Sequence, residues 1–440
     1  MSVLVYVLNI LLLAGMVWVL RKQSYTSSLG YAFYPGLVFK LSCGVLLGLL
    51  YQYHYGAGDT LTYFNGSLQL TALARQDSGA YLRLLLFNDF GSEALRASLP
   101  FTSFPDFSNS FFIIKIISLL NLLTGSSYYL NALYFSLFSF WGSAKLAAIL
   151  SKYYPEARAA AIIAFLFFPS IIFWGSGLLK DGIMMGSMCW LVAFALELGK
   201  GQPVKPITLI LLPFMLYIFV RMKLFLAAVL LPVLLAYLLI RWLAKYKPAF
   251  RKVGVQVMVL LMMTVLAGAA LTQIGVIYNL DFIFEQVVKN HEVLLAQSLH
   301  GPHISLDNLE PTFASMLRHA SEAFLSSIYR PFVWESRQSL YLLTGAENLL
   351  LLVLTVLSIA SFVNGKYKVS LFYVALLIYI LVAATMIGLS TPNFGSLSRY
   401  RIAFLPFLVY LLLQSYYARL VMERVAAAYT RLKARKTTHL

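Results

Sequence analysis

Residues Pro206 to Trp242 read PITLILLPFMLYIFVRMKLFLAAVLLPVLLAYLLIRW. Two apolar runs, 206–220 and 224–242, are parted only by Arg221-Met222-Lys223. A helix that is apolar all round is buried in a large core or in lipid. Three residues are too few for a solvated loop. The stretch therefore reads as a hairpin of membrane helices with two cations at its tip. Backbone N–H and C=O groups in hydrocarbon must pair within the chain, which makes such runs helical.

The rest of the chain repeats this pattern. Further apolar runs fall at 3–20, 31–52, 109–124, 128–150, 159–174, 177–198, 253–275, 341–363, 369–389 and 402–420. Most have the length needed to cross a hydrocarbon core. Hydrophobic residues make up 60% of the 440 and charged residues only 12%, against about 25% charged in a soluble domain. The mean hydropathy is +0.78. A water-soluble fold of this size could not hide so much apolar surface. The first run has no basic segment before it and no small-residue cleavage site, so it reads as a retained helix.

The formal charge of +17 has its explanation in Lys and Arg on cytoplasmic loops rather than in nucleic-acid binding. Residues 421–440 form a basic tail, with Arg424, Arg431, Lys433, Arg435 and Lys436 against Glu423. Lys366 and Lys368, the cluster from Arg241 to Lys252, and Arg21 with Lys22 share its side. This predicts an all-α, polytopic bundle with about eleven crossings, the N-terminus outside and the C-terminus inside. The chain reads as one domain over 1–440. Two long mixed stretches, 53–108 and 276–340, become folded outer loops. The scheme requires an odd number of crossings between 108 and 151, so 109–124 is read as re-entrant or interfacial. Cys43 and Cys189 lie inside apolar runs and read as packing residues.

That topology gathers five polar clusters on the non-cytoplasmic side. Charges near membrane depth are costly and are functional candidates by default. Asp59 follows Gly56-Ala57-Gly58 and opens the first outer loop, with Tyr63 one turn on. A carboxylate there can take a proton from a hydroxyl nucleophile; the plainer reading is a helix cap at Thr60. Lys180 and Asp181 close FPSIIFWGSGLLKD, where two apolar runs meet with almost no loop. Lys180 can hold a phosphate as a point charge, or the two form an ordinary interfacial pair with Trp174 in the aromatic belt. Arg221 and Lys223 either snorkel to lipid headgroups or hold a lipid-linked phosphate. Arg330, Trp334 and Glu335 lie in YRPFVWE, a cation among aromatics that can stack on a sugar. Arg399 and Arg401 lie in NFGSLSRYR before the last apolar run. His291, His300, His303 and His319 fall in the second long stretch. His300 and His303 could offer two metal ligands, but no acid triad accompanies them, so no metal site is assigned and a divalent metal stays a remote alternative. Phosphate-cradling Gly-rich loops and hydrolase motifs are missing.

Gly58-Asp59 opening an outer loop after an early helix, the many-helix body and the later outer loop together resemble the GT-C class of membrane glycosyltransferases. The strings FPSIIFWGSGLLKD, YRPFVWE and NFGSLSRYR are also similar to those of membrane proteins in bacterial surface-polysaccharide clusters. The resemblance implies a polyprenyl-phosphate-linked sugar as donor and a glycan or lipid-linked acceptor. The reaction would lie at the outer face of a bacterial inner membrane, among membrane lipids and other polysaccharide-assembly proteins. It implies Asp59 as the catalytic base. Arg221, Lys223, Arg399 and Arg401 match as donor-phosphate ligands by location only. Lys180, Asp181, Tyr63, Arg330, Trp334 and Glu335 would contact substrate. Two departures stand out: Gly-Asp-Thr replaces adjacent acids, and an extra helix precedes the loop. The alternatives are a polymerase or ligase of pyrophosphate-linked glycans, a lipid-linked glycan flippase or transporter, and a non-catalytic scaffold. Few charges in mid-helix count against transport.

Overall fold

The computed structural model describes residues 3–273, 279–299 and 301–437. Every regular element among them is helical. In chain order these are α1 (Val3–Lys22), α2 (Phe33–Leu49), α3 (Asp59–Gln76), α4 (Ser78–Phe87), α5 (Glu93–Ser98), α6 (Asn109–Thr124), α7 (Tyr128–Tyr153), α8 (Arg158–Ile162), α9 (Pro169–Trp174) and α10 (Lys180–Gly199). There follow α11 (Pro206–Met222), α12 (Leu224–Tyr246), α13 (Val253–Leu271), α14 (Leu280–Ala296), α15 (Phe313–Tyr329), α16 (Ser339–Val363), α17 (Leu371–Ser390), α18 (Phe394–Tyr400), α19 (Leu405–Leu413) and α20 (Tyr416–Thr437).

Among the described residues, eight helical stretches are long and apolar enough to cross a membrane, and the pair Phe394–Ala403 and Leu405–Leu413, bent by 68°, raises this to nine if it counts as one span. The protein is membrane-embedded and helical. Three apolar runs take other forms. Run 109–124 is the 16-residue α6, and 206–220 becomes the 17-residue α11. Run 159–174 is broken into α8, a π-helical turn at Ile163–Phe167, and α9. Pro169 opens α9, where its missing N–H is not needed. The two long mixed stretches are largely helical, as α3–α5 and as α14 with α15.

The chain divides into two compact units. Unit 1 comprises Met1–Ile149, Phe165–Glu197 and Pro203–Ala227. Its centre is polar for a membrane protein. The buried residues of α3 are Thr60, Tyr63, Gly66, Ser67, Leu70, Thr71 and Ala74, one face at helical spacing. That face packs on α6. Asn121 donates to Ser67 Oγ at 2.9 Å and Thr71 Oγ1 at 3.1 Å, and Asn131 donates to Asn121 Oδ1 at 2.6 Å. Small residues let backbones approach, and such hydrogen bonds in membranes each contribute about 0.6 to 2 kcal/mol. Helices α7 and α10 come closer still: a Cβ on Gly142 would lie 1.8 Å from Gly186 O. Helix α1 is the opposite case. Asn9 is its one buried residue, donating to Leu123 O at 3.1 Å and accepting from Tyr134 at 2.8 Å.

Unit 2 comprises Leu150–Ala164, Leu198–Gln202 and Ala228–Leu440. Its core helix is α17, which packs on α13, α14, α15 and α19. Its buried residues, from Leu371 to Leu389, cover most of its circumference, and the apolar Leu377 and Leu381 stay exposed, as expected of a helix with no polar face. Helix α14 is amphipathic and lies on α17, where His291 Nδ1 meets Leu389 O at 2.8 Å. Burial lowers the pKa of His291 from its ordinary 6.5.

Candidate functional site

In unit 1, four separate chain segments converge. Gly58 has φ +131°, and a Cβ there would lie 2.5 Å from the Tyr51 ring. Only glycine takes that conformation readily. Gly58 O accepts from Thr62 N at 3.0 Å, so Gly58 holds the cap position and Asp59 is the first helical residue. Asp59 is half-buried, and Tyr63 lies one turn on along the same face of α3. Tyr63 is 1% exposed, and its hydroxyl lies 3.3 Å from Ser110 Oγ at the start of α6.

Ser110 Oγ and Asn109 Oδ1 accept from Lys180 Nζ at 3.2 and 3.1 Å. Asn109 in turn donates to Met222 O at 3.0 Å, which fixes the end of α11 against α6. Arg221 donates to Asp106 O and lies over the Phe112 ring at 5.1 Å. Lys223 Nζ stands 3.5 Å from Asp181 Oδ1, and the Asp181 side chain is 1% exposed. An apolar cluster of Leu47, Tyr51 and Leu179, with Leu61 and Trp174 against it, joins the start of α3 to the start of α10.

This arrangement has a clear electrostatic sense. Helices α3, α6 and α10 all begin here, and helix N-termini carry partial positive charge. Asp59 and Asp181 sit in first turns, where that charge favours a carboxylate. Lys180, Arg221 and Lys223 add three cations. Such a region suits an anion bound beside carboxylates that can accept protons. The structure thus brings together Asp59, Tyr63, Lys180, Asp181, Arg221 and Lys223.

The remaining sequence candidates lie in unit 2, in a second network. Arg330 Nε donates to Glu335 Oε1 at 2.7 Å, and Phe332 N donates to Glu335 Oε2 at 2.5 Å. Phe332 and Trp334 stack at 4.9 Å, and Trp334 is 78% exposed. Arg401 is fully buried; it donates to Asn348 Oδ1 at 2.6 Å and lies 3.6 Å from Glu347. Asn348 reaches Pro331 O at 2.9 Å and so ties the two arginines' surroundings together. Arg399 donates to the Tyr400 hydroxyl at 3.2 Å. Arg401 thus has a visible role in holding the turn that ends α18, Arg401–Ala403, to α16.

Of the loop histidines, His300 lies outside the described residues. His291 is buried against α17, and His303 Nδ1 lies 2.8 Å from Gly301 O. Among the described residues, no three His, Cys, Asp or Glu side chains gather as metal ligands would.

Four charged residues inside apolar runs are not among the sequence candidates: Lys40, Lys145, Glu197 and the Glu347 beside Arg401. Lys145 meets Glu197 at 3.3 Å, with its Nζ 4.1 Å from the centre of the Trp190 ring. Lys40 is 1% exposed inside α2, and its Nζ has no hydrogen-bond partner among the described residues. It ends at the Gly175 turn, where a Cβ would lie 2.7 Å from it. The signal was present: each charge interrupts an apolar run. No family model, curated protein or solved structure matches the chain.

Proposed function

We propose that the unit 1 cluster is a sugar-transfer site that uses a polyprenyl-phosphate donor. One observation carries the reading: Lys180, Arg221 and Lys223 gather with Asp181 at the starts of three helices, one turn of α3 from Asp59. Asp59 takes the proton of the acceptor hydroxyl as that oxygen bonds to the sugar's anomeric carbon. The bond from that carbon to the phosphate oxygen breaks, and polyprenyl phosphate leaves with the electron pair. Fixed cations and helix N-termini stabilise the charge that develops on phosphate. Asn109, Ser110 and Tyr63 hold Lys180 in position. Within unit 2, Arg330, Trp334 and Glu335 remain proposed substrate contacts and Arg399 a proposed donor-phosphate ligand.

The same reading takes the chain as a GT-C-like enzyme of a bacterial inner membrane with about eleven crossings and the N-terminus outside, an orientation that rests on the Lys and Arg distribution. The cluster then faces the non-cytoplasmic side, where acceptor glycans and partner assembly proteins are found. The test is transfer by the full chain in nanodiscs from short-chain polyprenyl-phosphate sugars. Asp59→Asn is expected to lower turnover at least a hundredfold with the protein still monodisperse. Full transfer by that variant removes Asp59 as the base.

A second reading has support from one observation. Lys40 and the Lys145–Glu197 pair place ionisable groups inside membrane-length helices, and such groups mark transport pathways. A lipid-linked glycan transporter would move its substrate across liposomes with no bond exchanged. That outcome would replace the transferase reading.

A further inference from the structure

Unit 2 contains a cavity of about 190 Å³ unrelated to the clusters above. It lies where the 364–370 segment meets the starts of α17 and α20. Ser370 caps α17, its Oγ accepting from Tyr373 N at 3.3 Å. Ser415 holds the cap position of α20, its carbonyl accepting from Arg419 N at 3.0 Å. Both serines line the cavity, so two helix N-termini open on it. Lys366, Lys368 and Arg419 line it too, with Glu156 the one acid. Lys366 Nζ lies 4.6 Å from the Tyr416 ring centre, and Lys368 is 4.0 Å from Glu156.

Two polar atoms here lack protein partners. Ser415 is 1% exposed, and neither its Oγ nor the buried Arg419 Nε has a hydrogen-bond partner among the described residues. Buried polar groups are nearly always satisfied, and an exception calls for an explanation. A hydroxyl and a guanidinium N–H, two helix N-termini and three cations against one acid have one chemistry in common: they recognise a multiply charged oxyanion. A cavity of this size has room for a compact phosphate head group.

We propose that this cavity binds a phosphate monoester, either free in solution or as a lipid headgroup. Arg419 and Ser415 donate to its oxygens, and Lys366 and Lys368 balance its charge. The site is independent of the sugar-transfer reading.

The test uses the full chain in nanodiscs of phosphatidylcholine alone. In one arm glycerol 3-phosphate is titrated calorimetrically. In the other, phosphatidic acid is added to the discs and retained lipid is counted by native mass spectrometry. Ser415→Ala removes no protein hydrogen bond, so its thermal midpoint without ligand should match the parent. It should nevertheless weaken binding about tenfold. Arg419→Gln should weaken it further, Arg419→Lys should recover part, and Arg251→Gln should change nothing. Binding in the first arm alone identifies a soluble phosphate, in the second alone a lipid phosphate, and in both the headgroup itself. Binding in neither arm, or binding unchanged in both Ser415→Ala and Arg419→Gln, overturns the proposal.

Discussion

Lys145 and Glu197 meet inside unit 1 beside the Trp190 ring. Removing one partner strands the other charge in a low dielectric, which costs about 3 to 5 kcal/mol. Lys145→Met and Glu197→Gln should each lower the thermal midpoint in detergent sharply. The double variant should recover most of the loss. Additive losses in the double variant would show that the two charges do not depend on each other. His291 gives a pH signature. Its folded pKa is depressed by burial, so the unfolded chain binds the extra proton. Its contribution to stability is complete above about pH 6.5 and declines as the pH falls below that value. His291→Gln should flatten this part of the stability profile between pH 7 and 5. At this scale the polar oddities Asp59, Lys180, Asp181, Arg221 and Lys223 were legible, because charges in apolar sequence are conspicuous. Their partners were not. Asn109 and Ser110 lie about seventy residues from Lys180, and nothing local in the sequence encodes that meeting. Arg401 shows the converse: a conspicuous cation whose visible work is to bind Asn348 and Glu347.

Helix α7 crosses α10 at Gly142, where Gly186 O occupies the place of a Cβ. A methyl group there must push two backbones apart. Gly142→Ala should destabilise the protein by about 1 to 3 kcal/mol, read as a lower denaturation midpoint. Gly15→Ala, with open space around it, should be neutral. Long apolar helices were legible because hydropathy alone specifies them. Helix α3 was not, since its interior face is built of Thr, Ser and Gly and carries little hydropathic signal. The same holds for the π-helical break at Ile163–Phe167, which is apolar throughout and leaves only Pro169 as punctuation. The 276–340 stretch resolves into α14 and α15 because its apolar residues recur at helical spacing amid charges, a pattern readable as an amphipathic helix.

For the molecule in its membrane, orientation is the property on which the proposed chemistry depends. Cys43 and Cys189 are both buried, so a single introduced thiol gives a clean signal. Ala57→Cys, beside Asp59 and exposed in unit 1, should react with an impermeant maleimide in intact cells. Reaction only after permeabilisation of the inner membrane would put Asp59 on the wrong side for the proposed reaction. The membrane character of the chain followed from composition, whereas its division into two units did not, because both units share the same apolar vocabulary.

The shortness of α11 has a consequence for the lipid. At 1.5 Å per residue its 17 residues span about 26 Å, less than the ~30 Å of an average hydrocarbon core. Its C-terminal end lies in the Asp59 cluster, where Met222 O accepts from Asn109. A helix too short for the bilayer is accommodated by local thinning. Headgroups beside this cluster would then be drawn inward, and a phosphate carried on a long isoprenoid chain would meet Lys180 and Lys223 without leaving its own leaflet. Bilayer thickness becomes a variable of the proposed reaction: in the transfer assay, turnover should fall as acyl chains lengthen from 14 to 22 carbons, by about a fraction of a kcal/mol for each added ångström of mismatch.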